Sequence, residues 1–187
     1  MYSFGFIISA SWIVFILVWF VSALTAKRNL KGTWWKNIWL RIIIALVMYV
    51  LFKQQLTELF RHGPTVTLNP ILGSAGVLLT ILGIALAIWA RFYLGKNWGM
   101  PMSLKENREL VTGGPYRYVR HPIYSGIMLA MIGSALVIGL WFVIVVGIYF
   151  LYFIFSATSE ERTLTKEFPD TYPNYKKRTK MLIPFVF

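Results

Sequence analysis

Two short stretches concentrate the side chains able to do chemistry. One holds Tyr116, Arg117, Arg120, His121, Pro122 and Tyr124, and the other opens on the adjacent pair Glu160 and Glu161. Arg117, Arg120 and Tyr116 are donors suited to a carboxylate. Pro122 has no backbone N–H to give and fits the first turn of a helix, which leaves His121 at that helix's N-terminus, where the dipole favours an anion. One glutamate of the second stretch can hold a cationic group such as an ammonium. Each feature also has a structural reading. Arg117 and Arg120 can fix topology by touching lipid headgroups, and the glutamates can pair on a helix surface with Arg162 or Lys166. Spacing alone leaves both readings open. Other chemistries are excluded more firmly. The chain has no cysteine, so thiol nucleophiles, disulfides and Cys-based zinc sites are absent. It has no G-x-G-x-x-G and no G-x-x-x-x-G-K phosphate loop.

The elements that must position these residues are membrane helices. The sequence has 187 residues, 57% of them hydrophobic and only 14% charged, where a soluble domain is nearer a quarter charged. A spanning helix takes about 20 apolar residues. Segments 4–26 and 71–94 qualify, and 38–52 is a shorter run with Arg41 near its start, able to snorkel beside Trp34, Trp35 and Trp39. Segment 4–26 has no basic residue before it and Lys27 and Arg28 after it, the pattern of a retained span with its N-terminus outside. Segment 123–157 is too long for one span, since as a straight helix it would extend about 52 Å against a hydrocarbon core of about 30 Å. A hairpin near Gly139, with Trp141 at the interface, divides it in two.

Five spans result, and the charges fit them. The formal net charge is +12. With the N-terminus outside, 17 of the 19 Lys and Arg residues fall on one face, which the positive-inside rule makes the cytoplasm. Nucleic acid is not needed to account for the basic balance. Pro64 and Pro70 bracket the external loop, where His62 reads as a solvated side chain. His121 lies across the membrane from it, so no two-histidine metal site is expected. Gly126, Ala130, Gly133 and Ser134 form a small-residue stripe on the fourth span, read as helix packing. The expected fold is all-α: a single membrane domain over 1–187, with spans one to three in 1–95 and spans four and five with a cytoplasmic C-terminal segment in 96–187.

The segment 104–187 resembles the isoprenylcysteine carboxyl methyltransferase family and its relatives, the phospholipid N-methyltransferases. The resemblance is carried in order by Leu110-Val111, Gly114-Pro115-Tyr116, Arg120-His121-Pro122-Ile123-Tyr124, Glu160-Glu161, Tyr172-Pro173-Asn174-Tyr175 and Ile183-Pro184. It implies an enzyme using S-adenosylmethionine in a pocket at the cytoplasmic membrane edge, contacted by Arg108, Glu109, Leu110, Val111, Tyr116, His121, Pro122, Ile123, Tyr124 and Glu160. Glu160 then suits the cofactor's ammonium, His121 and Tyr116 its carboxylate, and an aromatic ring such as Tyr124 its sulfonium. The acceptor is a lipid-like or small molecule. Family members acting on prenylated cysteine carry an arginine four residues before the first glutamate, where this chain has Ser156; Arg162, further along the same segment, is the candidate replacement. Two other functions compete. Sterol-type reductases using NADPH resemble the same C-terminal half, and a non-enzymatic accessory subunit or small transporter would also be a membrane bundle. A transporter would place ionisable residues in mid-span, and apart from Arg41, with Arg91 at the end of 71–94, none stands within an apolar run.

Overall fold

A computed structural model describes residues 3–23, 39, 42–43, 46, 69–98, 109–139 and 142–184. The expected second span, Arg108, Trp141 and His62 lie outside the described residues, apart from Trp39, Ile42, Ile43 and Leu46 in that span. Among the described residues the fold is helical: α1 (Ser3–Ala23), α2 (Pro70–Leu94), α3 (Pro122–Ile138), α4 (Phe142–Glu167) and the short α5 (Tyr172–Arg178), with an isolated parallel bridge between Val119 and Lys180.

Local chemistry sets the boundaries. Asn69 caps α2, its Oδ1 accepting from the backbone N–H of Ile71 (2.9 Å) and Leu72 (3.2 Å), with Pro70 in the first turn. Gly95, at φ +54°, ends that helix in a conformation that disfavours a side chain. Pro122 opens α3, as its missing N–H allows. Gly139, at φ +126°, closes α3, and its carbonyl accepts from Phe142 N–H (3.0 Å) to turn the chain into α4. The long apolar run therefore is divided at the glycine.

Phe4–Ser22, Pro70–Asn97 and Phe142–Glu167 are each long and apolar enough to cross a bilayer, and Pro122–Ile138 is a shorter apolar helix. Large side chains such as Phe6, Phe20, Ile71, Phe92 and Leu151 point away from the protein. Apolar surface on this scale has no stable contact with water, and lipid is the solvent that accommodates it. The chain is an integral membrane protein.

Without a hydrophobic drive between helices in lipid, close packing must hold them. The stripe on α3 does this against α2. A Cβ on Gly83 would lie 2.4 Å from Ala130 N, one on Gly126 2.6 Å from Gly83 O, and one on Gly133 2.5 Å from Gly76 O. Backbone meets backbone at both levels. Between them Thr80 Oγ1 donates to Gly76 O (2.8 Å), and Ser134 Oγ accepts from Trp12 Nε1 (3.0 Å), which ties α1 to the pair. Gly83→Leu should destabilise the bundle by about 1–3 kcal/mol or more, as overpacking against backbone does. Gly147→Leu on α4, where a Cβ meets nothing within 4 Å, should be close to neutral. The loss of folded fraction on heating in detergent measures both.

Candidate functional site

The hairpin returns α4 to the end of the bundle where α3 begins, and α4 continues past its apolar part, carrying Glu160 and Glu161 up beside the Arg120-His121-Pro122 turn. The C-terminal segment folds back onto the same place. Arg120 N–H donates to Lys180 O (2.8 Å), His121 N–H to Met181 O (3.1 Å) and Ser125 Oγ to Leu182 O (2.6 Å). Tyr175 Oη donates to Tyr116 O (2.6 Å). Two stretches about forty residues apart in sequence and a tail beyond them thus converge on one point.

Glu161 is the hub. It is 3% exposed, and its carboxylate receives Arg120 Nε at 2.6 Å on Oε1 and Lys176 Nζ at 2.7 Å on Oε2. Arg120 Nη1 also donates to the carbonyls of Thr179 and Lys176, so the guanidinium joins the turn, α4 and the tail. The glutamate pair therefore does not sit on a helix surface with Arg162 or Lys166: Glu161 pairs across the fold. Glu160 turns the other way, accepting from Tyr124 Oη at 2.6 Å. The His121 ring lies between the two acids, Nδ1 3.7 Å from Glu160 Oε2 and Nε2 3.5 Å from Glu161 Oε1. It stacks on Tyr124 (ring centroids 5.4 Å), which stacks on Phe153 (4.7 Å). Burial, reinforced by the Glu161 charge, pushes the Tyr172 phenol above the ordinary tyrosine range, and burial does the same at Tyr175, so both remain protonated donors.

Arg120, His121, Tyr124, Phe153, Glu160, Tyr172 and Tyr175 border a cavity of about 240 Å³, and Glu161 stands outside it. Of the residues singled out in the sequence, Glu109, Leu110, Val111, Tyr116, Arg120, His121, Ile123, Tyr124 and Glu160 line it. Pro122 is fully buried and starts α3 but does not border the cavity. Arg162 is exposed and also lies off it. Ser156 is 0% exposed, its hydroxyl buried with no hydrogen-bond partner. The structure adds walls that spacing did not reveal: Phe15 and Trp19 from α1, Asn97 and Trp98 after α2, Phe153 on α4, and Tyr172 and Tyr175 on α5. Trp19 meets Trp98 edge to face at 5.6 Å, and the guanidinium of the fully buried Arg91 stands 4.6 Å over the Trp98 ring. Asn97 Oδ1 accepts from Glu109 N–H (3.3 Å), which fixes the start of the Leu110-Val111 strip.

The donor set matches a ligand with mixed charge. Glu160 offers an acceptor on the cavity wall, the hydroxyl of the lining Tyr172 makes no hydrogen bond, and the aromatic faces suit a soft cation. S-adenosylmethionine, with its ammonium, carboxylate and sulfonium, is chemically compatible with that set. Among the described residues no three His, Asp or Glu side chains are grouped to hold a metal ion.

A family model described as phospholipid methyltransferase matches residues 72–171. The chain is 32% identical over 109 residues to a protein-S-isoprenylcysteine O-methyltransferase of Schizosaccharomyces pombe, covering 56% of this chain and 46% of that protein. It is 28% identical over 161 residues to the cobalt-zinc-cadmium resistance protein CzcN of Cupriavidus metallidurans, covering 84% of this chain and 64% of the other. It is 37% identical over 70 residues to methanethiol S-methyltransferase 1 of Bradyrhizobium diazoefficiens, covering 37% and 24%. The chain thus spans less than two thirds of the length of each of these relatives. The family match takes in most of α2, the whole α3–α4 hairpin, the Arg120–Tyr124 turn and Glu160, more than half of the sequence, and on that ground the chain belongs to the phospholipid methyltransferase family.

Proposed function

We propose that this protein is an integral membrane S-adenosylmethionine-dependent methyltransferase acting on a lipid-like or small acceptor. The observation that carries the reading is the meeting of the Arg-His-Pro-x-Tyr turn with Glu160 at one cavity, with Glu161 pinning that turn from behind through Arg120. In this reading Glu160 holds the ammonium, with Tyr124 orienting its carboxylate. His121 and Tyr116 face the cofactor carboxylate, and Glu109, Leu110, Val111 and Ile123 supply the remaining wall, with Arg108 assigned by resemblance alone. Bound there, the cofactor would supply an electrophilic methyl group to the lone pair of the acceptor. The protein's own part is positioning and exclusion of water. Phe15, Trp19 and Phe153 present the dry side, and no general base is required for an acceptor whose lone pair is already free.

The membrane arrangement proposed with it has five spans in a single domain, the N-terminus outside and the site at the cytoplasmic edge. Charge distribution supports that orientation. Ser156, buried where prenylcysteine-directed members carry an arginine, argues against an acceptor carboxylate held at that point. The name of the Bradyrhizobium relative supports thiols as one class to try. Labelled methyl transfer from S-adenosylmethionine against a panel of lipids, prenylcysteines, amines and thiols tests the proposal. Transfer to an acceptor lacking a carboxylate is expected. No transfer to any class, together with NADPH-dependent reduction of an unsaturated isoprenoid, would replace the methyltransferase by the reductase.

A further inference from the structure

We propose that the outward face of α5 and the chain after it dock onto anionic phospholipid headgroups of the protein's own bilayer, and that this contact steadies the Tyr172–Tyr175 wall of the cavity. Depth comes first. The apolar part of α4 ends at Ala157, and Glu161 stands four residues further on, a rise of about 6 Å. The headgroup zone adds roughly 5–7 Å to each side of the hydrocarbon core. Lys176 Nζ is 2.7 Å from Glu161 Oε2, so α5 is held at that depth.

Charge and composition come next. Lys177, Arg178 and Lys180 are exposed, as are Arg162 and Lys166 on the adjoining turns of α4, and Lys176 is 51% exposed even while paired. The exposed acids of the same segment are Glu167 and Asp170. With Glu160 and Glu161 turned inward, the surface is more basic than the sequence of the segment suggests. The parallel bridge from Val119 to Lys180 brings Tyr118, 56% exposed, next to this basic face, and Ile183, 50% exposed, follows it. Cations beside an aromatic and an aliphatic side chain, at headgroup depth, are the composition that an anionic interface selects.

The opposite face of α5 belongs to the site. Tyr172 is 1% exposed and lines the cavity, and Tyr175 lines it while bonding Tyr116 O. Since one seven-residue helix carries both faces, anchoring the outer face reduces the freedom of the inner one. The coupling to the cofactor rests on the methyltransferase reading; the docking itself does not.

The test uses the full chain in nanodiscs of phosphatidylcholine alone and of phosphatidylcholine with phosphatidylglycerol. Trypsin cleavage after Lys177 and Arg178 should be at least about fivefold slower in the anionic discs, a small effect for several cations each attracted to the surface. Lys166→Glu with Lys180→Glu should bring the two rates together, the doubly reversed protein being compared with itself in neutral and in anionic discs. Equal rates in the two discs, protection that survives the charge reversal, or equal protection by a soluble RNA homopolymer in neutral discs would overturn the proposal. S-adenosylhomocysteine should bind about threefold tighter in the anionic discs. Equal affinity in both would remove the coupling. Failure to bind in either disc would count against the methyltransferase reading, while the cleavage rates would still decide the docking.

Discussion

Glu161→Ala should lower the stability of the protein by about 3 kcal/mol, the lower end of the range for breaking a buried ion pair from one side. The loss has two parts of unequal size. Lys176 is half exposed, so its share is screened by solvent and small. Arg120 is only 8% exposed, and without Glu161 it keeps its carbonyl partners but no carboxylate. An unpaired buried guanidinium is the costly product. Because Arg120 holds the turn to the tail, the damage should show first as release of α5. Thermal unfolding in detergent, followed together with proteolysis after Lys177, checks this. The tail should become cleavable below the temperature at which the helices melt. Glu161→Gln, which keeps the shape and one acceptor, should lose less. An alanine variant as stable as the parent would mean that the ion pairs contribute nothing net.

Much of this arrangement was legible in the sequence, for identifiable reasons. The hairpin at Gly139 followed from length, since the apolar run exceeds the bilayer. The start of α3 followed from Pro122, a residue with one suitable helical position. The convergence of the Arg-His-Pro turn with the glutamates followed from the hairpin, which returns the chain to the face it left. What stayed hidden depends on helix rotation and on contacts far apart in the chain. Adjacent glutamates give no sign of which points to the cavity and which to the ion pairs; the rotation of α4 decides, and it sends Glu160 to Tyr124 and Glu161 to Arg120. Arg162 was a candidate by spacing and is turned to the exterior. Trp19 and Phe15 sit in an apolar run where every residue reads alike, and only the packing of α1 brings them to the cavity. The glycine stripe was visible on α3, whereas its partners Gly76 and Gly83 needed the α2–α3 contact to be recognised. Tyr172 and Tyr175 were visible as a motif, but their place as a wall depends on the fold of the tail.

The largest effect on binding is expected at Glu160. Its carboxylate lies on the cavity wall, largely buried, and is oriented before any ligand arrives by the 2.6 Å hydrogen bond from Tyr124. Removing one member of a buried, hydrogen-bonded charge pair costs about 2–5 kcal/mol, at least about thirtyfold in affinity. Tyr124→Phe leaves the charge and removes one hydrogen bond, so a loss nearer about fivefold is expected. His121→Ala should fall with Glu160→Ala, since the imidazole lies on the cavity wall between both acids and holds their places. The order Glu160→Ala, then Tyr124→Phe, then parent distinguishes a charge contact from general damage to the fold, provided the variants melt with the parent. The direct measurement is a calorimetric titration of the detergent-solubilised protein with S-adenosylhomocysteine. The parent should bind in the micromolar range, and binding should be lost in Glu160→Ala and in His121→Ala. Binding by both variants as tight as the parent's, or none by the parent itself, would contradict this expectation.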